Sequence, residues 1–282
     1  MQLQKGYFYL YLAALIWGSL GVFARLSGMP PVELAFYRLF LAGLFLSCFL
    51  PRGKRLATGG LRSYLLNCGA GVLFAVDCLC FFHALRLTTL SNTVFPYNMQ
   101  PVFMMMLSRL FAGEKNTPGS MRFVCVALFG LVLLFLPSFV TASLADILGL
   151  GLSLAGSFCL AVAALIARRL TVSALVFVYY EIVVAALCLV PFMQHYAAFP
   201  LSGYLWAAVI GMVHTVFAYI CYYQGLRTVK PAQATAIILF TPVIAALCGY
   251  LFFRESVSLF TLAGGAIITA NGICTVAAKE KS

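Results

Sequence analysis

Apolar runs of about twenty residues follow one another along the chain, separated by short polar or breaker-rich connections. They cover residues 7–25, 32–50, 64–83, 91–111, 122–137, 146–166, 174–193, 203–223, 232–252 and 257–277, with ends that hydropathy fixes only to within several residues. About twenty residues at a helical rise of roughly 1.5 Å span the hydrocarbon core of a bilayer. The connections SGMPP, PRGKRLATGG, GEKNTPGS, PSFVTAS and QHYAAFPLSG hold the Gly, Pro, Ser and Asn residues that end helices. The pattern predicts an all-α integral membrane protein with ten transmembrane helices.

Composition agrees. Of the 282 residues, 63% are hydrophobic and 9% charged, with a mean hydropathy of +1.03. A soluble domain is roughly half apolar and about a quarter charged. A net charge of +11 would suggest nucleic acid in a soluble chain. Here it reflects Lys and Arg retained on the cytoplasmic face during insertion, and no nucleic-acid partner is expected.

With the N-terminus inside, the inner face carries Lys5, Arg52, Lys54, Arg55, Arg62, Lys115, Arg122, Arg168, Arg169, Arg227, Lys230, Lys279 and Lys281. The outer face carries only Arg25, Arg86 and Arg254. This asymmetry predicts a multi-pass protein of the cell (inner) membrane with both termini cytoplasmic. The opening MQLQKGYFYLYLAALIW lacks a small-residue cleavage site and reads as the first span, not as a removed signal peptide. The ten cysteines lie almost entirely within apolar runs, and the near neighbours Cys78 and Cys80 point to different helix faces. Neither a zinc site nor a disulfide framework is supported.

One segment is unusually polar for a span: ALRLTTLSNTVFPYNMQP, residues 84–101. It has a partner. At a constant offset of 141, Leu85, Arg86, Pro101, Val102, Leu110, Phe111 and Glu114 recur as Leu226, Arg227, Pro242, Val243, Leu251, Phe252 and Glu255. Matched Arg, Pro and Glu at one offset point to a duplication of half the chain, 1–140 and 141–282. Each half has five spans, an odd number, so the second enters the membrane inverted. Inverted repeats suit two halves rocking around a site near the midplane, which makes transport the leading reading.

The sequence resembles the drug/metabolite transporter superfamily in its ten-helix EamA form. The resemblance rests on LAALIWGSLGVFAR, on ELAFYRLFLAGLF, and on the FHALRLT…P…GE and YQGLRTVKPAQA…TP…RE pair. It implies secondary transport, often export, through a central cavity lined by helices 1–4 and 6–9, with helices 5 and 10 peripheral.

Ionisable groups inside spans are expensive and mark candidate sites. Arg38 offers a bidentate clamp for an anion, or a structural pair. Glu181 falls near its repeat equivalent if Tyr37 and Tyr180 are matched. It reads as a proton carrier, as half of a bridge remade during alternation, or as half of a static ion pair. Asp77 suits an amine, a cation or a coupling proton. His83, near a span end, reads as interfacial, and mid-span His214 as the better hydrogen-bond candidate. Trp17 lies too deep for the interfacial belt. Tyr37, Tyr97 and Tyr222 supply polar tips to an apolar cavity. Small residues Gly18, Gly21 and Ala24, and Gly149, Ser153 and Gly156, read as helix packing. Glu114–Lys115 and Arg254–Glu255 read as helix-end caps.

Pro96 and Pro101 break helix 4 and free backbone carbonyls. Helix 9 keeps Pro242 but has Ile237, Ile238 and Leu239 where helix 4 has Pro96, Tyr97 and Asn98. Tyr97, Asn98 and neighbouring Gln100 are therefore the substrate candidates specific to one half. The reading is a transporter, not an enzyme, moving a small polar or amphiphilic metabolite by alternating access, with protons a candidate coupling ion and no cofactor or metal. A lipid or lipid-linked sugar flippase, or a non-transporting assembly protein, stays open as the alternative.

Overall fold

The computed structural model describes residues 2–50, 60–88, 93, 96–112, 118–136, 143–194, 199–254 and 258–277. Among them there are helices and turns and no strand. In chain order the helices are α1 (Gln2–Ser27), α2 (Pro31–Phe49), α3 (Leu61–Leu87), α4 (Gln100–Ala112), α5 (Pro118–Phe135), α6 (Leu144–Arg169) and α7 (Ala174–Leu189). Next comes α8 (Leu201–Thr228), which is composite: α8a (Leu201–Val209), a π-helical segment (Ile210–Phe217) and α8b (Ala218–Thr228). Then follow α9a (Pro231–Ile238), α9b (Thr241–Phe253) and α10 (Leu259–Ala277). Among the described residues, seven helical stretches are long and apolar enough to cross a membrane, and Val102–Phe111, Met121–Leu133 and Leu259–Cys274 are shorter apolar helices.

Local chemistry sets the ends. Ser27 donates to the Ala24 carbonyl at 2.7 Å, Gly28 takes a left-handed φ of 63°, and Pro31 opens α2 at its first position. Ser143 and Asp146 close a reciprocal capping box on α6, and Ser173 caps α7 by accepting from the Val176 amide.

The expected single helices over 91–111 and 232–252 are each broken. Asn98–Met99 form a turn before α4, and Leu239–Phe240 form one between α9a and α9b. Pro101 and Pro242 lie one residue inside the helices that follow, where a missing N–H is tolerated. The hydrogen bonds around the two turns correspond at the offset of 141. Met99 N–H bonds Pro96 O at 3.0 Å as Phe240 N–H bonds Ile237 O, and Val102 N–H bonds Met99 O at 2.9 Å as Val243 N–H bonds Phe240 O at 3.1 Å. Glu114, Lys115 and Glu255, read from sequence as caps, lie outside the described residues. Arg254 does end α9b, in a left-handed conformation.

Packing is layered around α1, α3 and α8. α3 packs on α6 and α7, α1 on α8 and on both parts of α9, α2 on α7 and the π segment, and α4 on α6 and α9a. α5 pairs with α10, with α9a alongside both, as the family resemblance implies for peripheral helices. Large apolar side chains such as Phe111, Phe129, Leu187, Leu251 and Phe252 face outward, as they do where the surroundings are hydrocarbon. The ten cysteines are free thiols.

Small residues set the close contacts. Gly149 and Gly156 are buried against α3, and Ser153 between them is buried with its hydroxyl donated to the Thr93 carbonyl. A methyl on Gly71 would lie 2.6 Å from Val184 Cβ and 3.0 Å from the Tyr180 carbonyl oxygen, whereas one on Gly69 meets nothing within 4 Å. Gly71→Ala is therefore expected to destabilise the α3–α7 contact by about 1–3 kcal/mol and Gly69→Ala to leave it unchanged or better. Denaturant titrations in micelles check this; equal stabilities for the two variants would show that the seam yields.

Candidate functional site

The centre of the protein is built by one face of α8b. Tyr219, Tyr222 and Tyr223 follow an i, i+3, i+4 spacing, so all three rings project to the same side. Tyr222 and Tyr223 are fully buried. The Tyr219 ring meets Trp17 of α1 at 4.9 Å and Phe74 of α3 at 5.3 Å. Tyr222 meets Trp17 at 5.0 Å, and its hydroxyl accepts from Gln100 Nε2 of α4 at 2.8 Å. Tyr223 meets Phe177 of α7 at 4.9 Å and donates to Glu181 Oε1 at 2.6 Å. Four helices are thus tied to one turn of a fifth.

Two carboxylates border this aromatic centre. Glu181 on α7 is fully buried and Asp77 on α3 is 2% exposed. Each has one oxygen bonded by a tyrosine: Tyr223 for Glu181, and Tyr97 for Asp77 at 3.1 Å. Glu181 Oε2 and Asp77 Oδ1 have no hydrogen-bond partner. Gly156 of α6 makes the burial possible, because a side chain there would press on Asp77 Oδ1 and on the Asp77 carbonyl. The Tyr97 ring is held against Phe81 at 4.8 Å, which aims its hydroxyl at α3.

Arg38 on α2 is half-buried. Its guanidinium reaches Cys78 Sγ at 3.9 Å, and its Nε has no partner. It lies within electrostatic range of Asp77 and His214. The static Arg38–Glu181 ion pair entertained from sequence is not formed, since Glu181 is bonded by Tyr223 instead. α2 and α7 do pack together, but these two side chains do not meet.

His214 sits in the π segment of α8. Widening from four to five residues per hydrogen-bonded ring leaves carbonyls free to bond sideways. Trp17 Nε1–H takes that of His214 at 3.0 Å. Ser19 donates to Ile16 O at 2.8 Å, so at 3.1 Å it accepts from His214 Nε2–H, leaving a buried Nδ1 without partner. Gly211, three residues earlier, gives the π segment room: a methyl there would overlap the Arg38 carbonyl and crowd Ala42.

Of the residues proposed from sequence, Trp17, Asp77, Tyr97, Gln100, Glu181, His214 and Tyr222 are joined by these contacts, with Arg38 beside them. Asn98 lies in the turn before α4, half-buried. Tyr37 is elsewhere, its ring packed on Tyr204 at 5.0 Å and Phe199 at 6.1 Å. His83 is exposed near the end of α3, bonded to Leu79 O, as an interfacial residue should be. Sequence reasoning missed Tyr219, and missed Tyr223 as the partner of Glu181; the Tyr219, Tyr222, Tyr223 spacing was the available signal. Among the described residues no cluster of His, Cys, Asp or Glu could hold a metal.

The EamA-like transporter family model matches residues 4–136 and again 147–276. The chain belongs to this family of membrane transporters. An uncharacterized transporter of Archaeoglobus fulgidus is 28% identical over 92% of each chain. The uncharacterized transporter YxxF of Bacillus subtilis is 24% identical over 95% of this chain and 88% of its own. The pseudopaline exporter CntI of Pseudomonas aeruginosa is 25% identical over 85% of this chain and 84% of its own. A protein of solved crystal structure has the same fold, with a TM-score of 0.81 and 17% identity over 99% of both chains.

The Tyr223–Glu181 bond carries a quantitative expectation. In a double-mutant cycle, Tyr223→Phe and Glu181→Gln should couple by at least about 0.5 kcal/mol in stability. Strict additivity would mean that the bond contributes nothing.

Proposed function

We propose that the protein carries a small polar or amphiphilic metabolite bearing a cationic group, such as an amino acid or amine, across the cytoplasmic membrane by alternating access. The observation that carries this reading is the pair of buried carboxylates, each bonded by one tyrosine and each with one oxygen unbonded. Leaving a buried carboxylate oxygen unsatisfied costs stability, and such groups inside spans mark substrate or proton paths. An ammonium or a proton satisfies Asp77 and Glu181, while Arg38, with its free Nε, suits a carboxylate on the same substrate. Trp17, Tyr97, Asn98, Gln100, His214 and Tyr222 are the further residues to which this reading assigns substrate contact.

The architecture we propose is ten crossings in two inverted halves, 1–140 and 141–282, with both termini cytoplasmic. Three features support it. The helix pairings exchange when each helix is replaced by its counterpart five places on: α1–α8 becomes α6–α3, α1–α9 becomes α6–α4, and α2–α8 becomes α7–α3. The turns before α4 and α9b share their hydrogen bonds. Helix ends also meet where alternation puts them on one side, as when Arg227 bonds Val172 O at the α6–α7 turn and Tyr7 bonds Gln233. That a relative carries the name of an exporter supports outward movement or exchange of a metabolite.

Purified protein in liposomes should show counterflow of a labelled amino acid or amine. Asp77→Asn and Glu181→Gln should each lower kcat/KM by roughly 10- to 100-fold, the worth of one charge-assisted hydrogen bond. If lipid is translocated while no solute moves, the reading fails. Unchanged proton dependence in both variants would sink coupling through these carboxylates.

A further inference from the structure

Below the site, α4 packs on α6 and α9a rather than closely on α3, and the space between α3 and α4 is floored by α6. The result is a half-open cleft of about 710 Å³, within the size range of small-molecule sites. Its walls are apolar: Leu66, Leu107, Phe111, Phe158, Val162 and Ile166. Phe111 and Phe158 are 64% and 44% exposed on the outer surface of the bundle, so the cleft opens sideways toward hydrocarbon.

At one end the lining changes character to Arg62, Ser63 and Arg169. Both arginines are exposed, and neither has a partner among the described residues. The Ser63 hydroxyl is buried and unbonded. Arg62 sits in the first turn of α3, where a cation opposes the helix dipole, and the N-cap Gly60 offers no side chain to the free amides. An anion at this point would satisfy the two guanidinium groups, the hydroxyl and the dipole together.

We propose that this cleft binds an anionic phospholipid, its phosphate between Arg62 and Arg169 and an acyl chain along Val162 and Phe158. A soluble anion would match the charges but leave the apolar wall unused, and a neutral lipid would do the reverse. The arginines lie where α3 begins and α6 ends, which the proposed orientation places at the cytoplasmic leaflet; binding itself does not depend on the transport reading.

Native mass spectrometry of the full chain in detergent, with phosphatidylglycerol or phosphatidylcholine of equal chain length, tests this. The unaltered protein should retain phosphatidylglycerol preferentially, and Arg62→Gln/Arg169→Gln should weaken that preference by roughly fivefold for each arginine removed. Val162→Trp, which fills the cleft and keeps both charges, should lose it as well. Arg109→Gln/Arg122→Gln, exposed charges outside the cleft, should keep it. Melting curves identify any variant that fails to fold. Equal retention of the two lipids overturns the proposal, as does an unchanged preference in the cleft variants or an equal loss in the Arg109/Arg122 control. Displacement of the lipid by millimolar inorganic phosphate would also overturn it, because the site would then be one for a free anion.

Discussion

A carboxylate moved from water into a low-dielectric interior loses solvation worth several kcal/mol even after the surroundings relax. Asp77 and Glu181 both occupy such positions. Much of the centre can be understood as a response to that cost. α8b presents its tyrosines to Glu181, to Gln100 and to Trp17. The turn before α4 delivers Tyr97 to Asp77, and Gly156 lets α6 close over the same carboxyl group. In each case the response is partial, meeting one oxygen and not the other. Complete satisfaction would have made a closed polar core, whereas each carboxylate here keeps one oxygen with its bonding capacity unused.

The breaks in α4 and α9 serve the same end by different means. A continuous helix fixes side chains at 100° steps, while a turn lets neighbouring residues point to separate partners. Across the α4 break, Tyr97 reaches α3 and Gln100 reaches α8b, although a wheel drawn through the segment puts them on one face. In the second half the positions matching Tyr97 and Asn98 are Ile238, the last residue of α9a, and Leu239 in the turn, both buried in apolar contacts. One backbone device, used twice, therefore carries polar groups in one half and packing in the other.

Much of this was legible in the chain alone. Length and polarity of the apolar runs located the helices, and the polar stretch around Tyr97 coincides with the break before α4. Buried charges stood out because hydrocarbon makes them costly. What periodicity could not supply was partnership. Arg38 and Glu181 looked like a pair because opposite charges on matched helices suggest one, yet a neutral tyrosine hydroxyl took the carboxylate. Tyr37 looked like a cavity residue as a tyrosine within a span, but it is turned by about 100° from Arg38 on the helix and faces another cluster. Tyr219 was overlooked because a tyrosine in an apolar run resembles ordinary packing until its neighbours are known.

The π segment of α8 has a consequence for how this chain can change. Its wider turns hold about one more residue than an α-helix of the same length would, so α8b is rotated relative to α8a by roughly 100° from where regular winding would leave it. The tyrosine face that meets Trp17, Phe74 and Glu181 exists in that rotated frame. Regular α-helical winding of the same residues 210–217 would turn α8b by about that angle without changing the identity of any side chain. It would swing the whole Tyr219, Tyr222 and Tyr223 face to a different neighbour. The contacts at the centre of the protein are thus set by the winding of one helix as much as by residue identity.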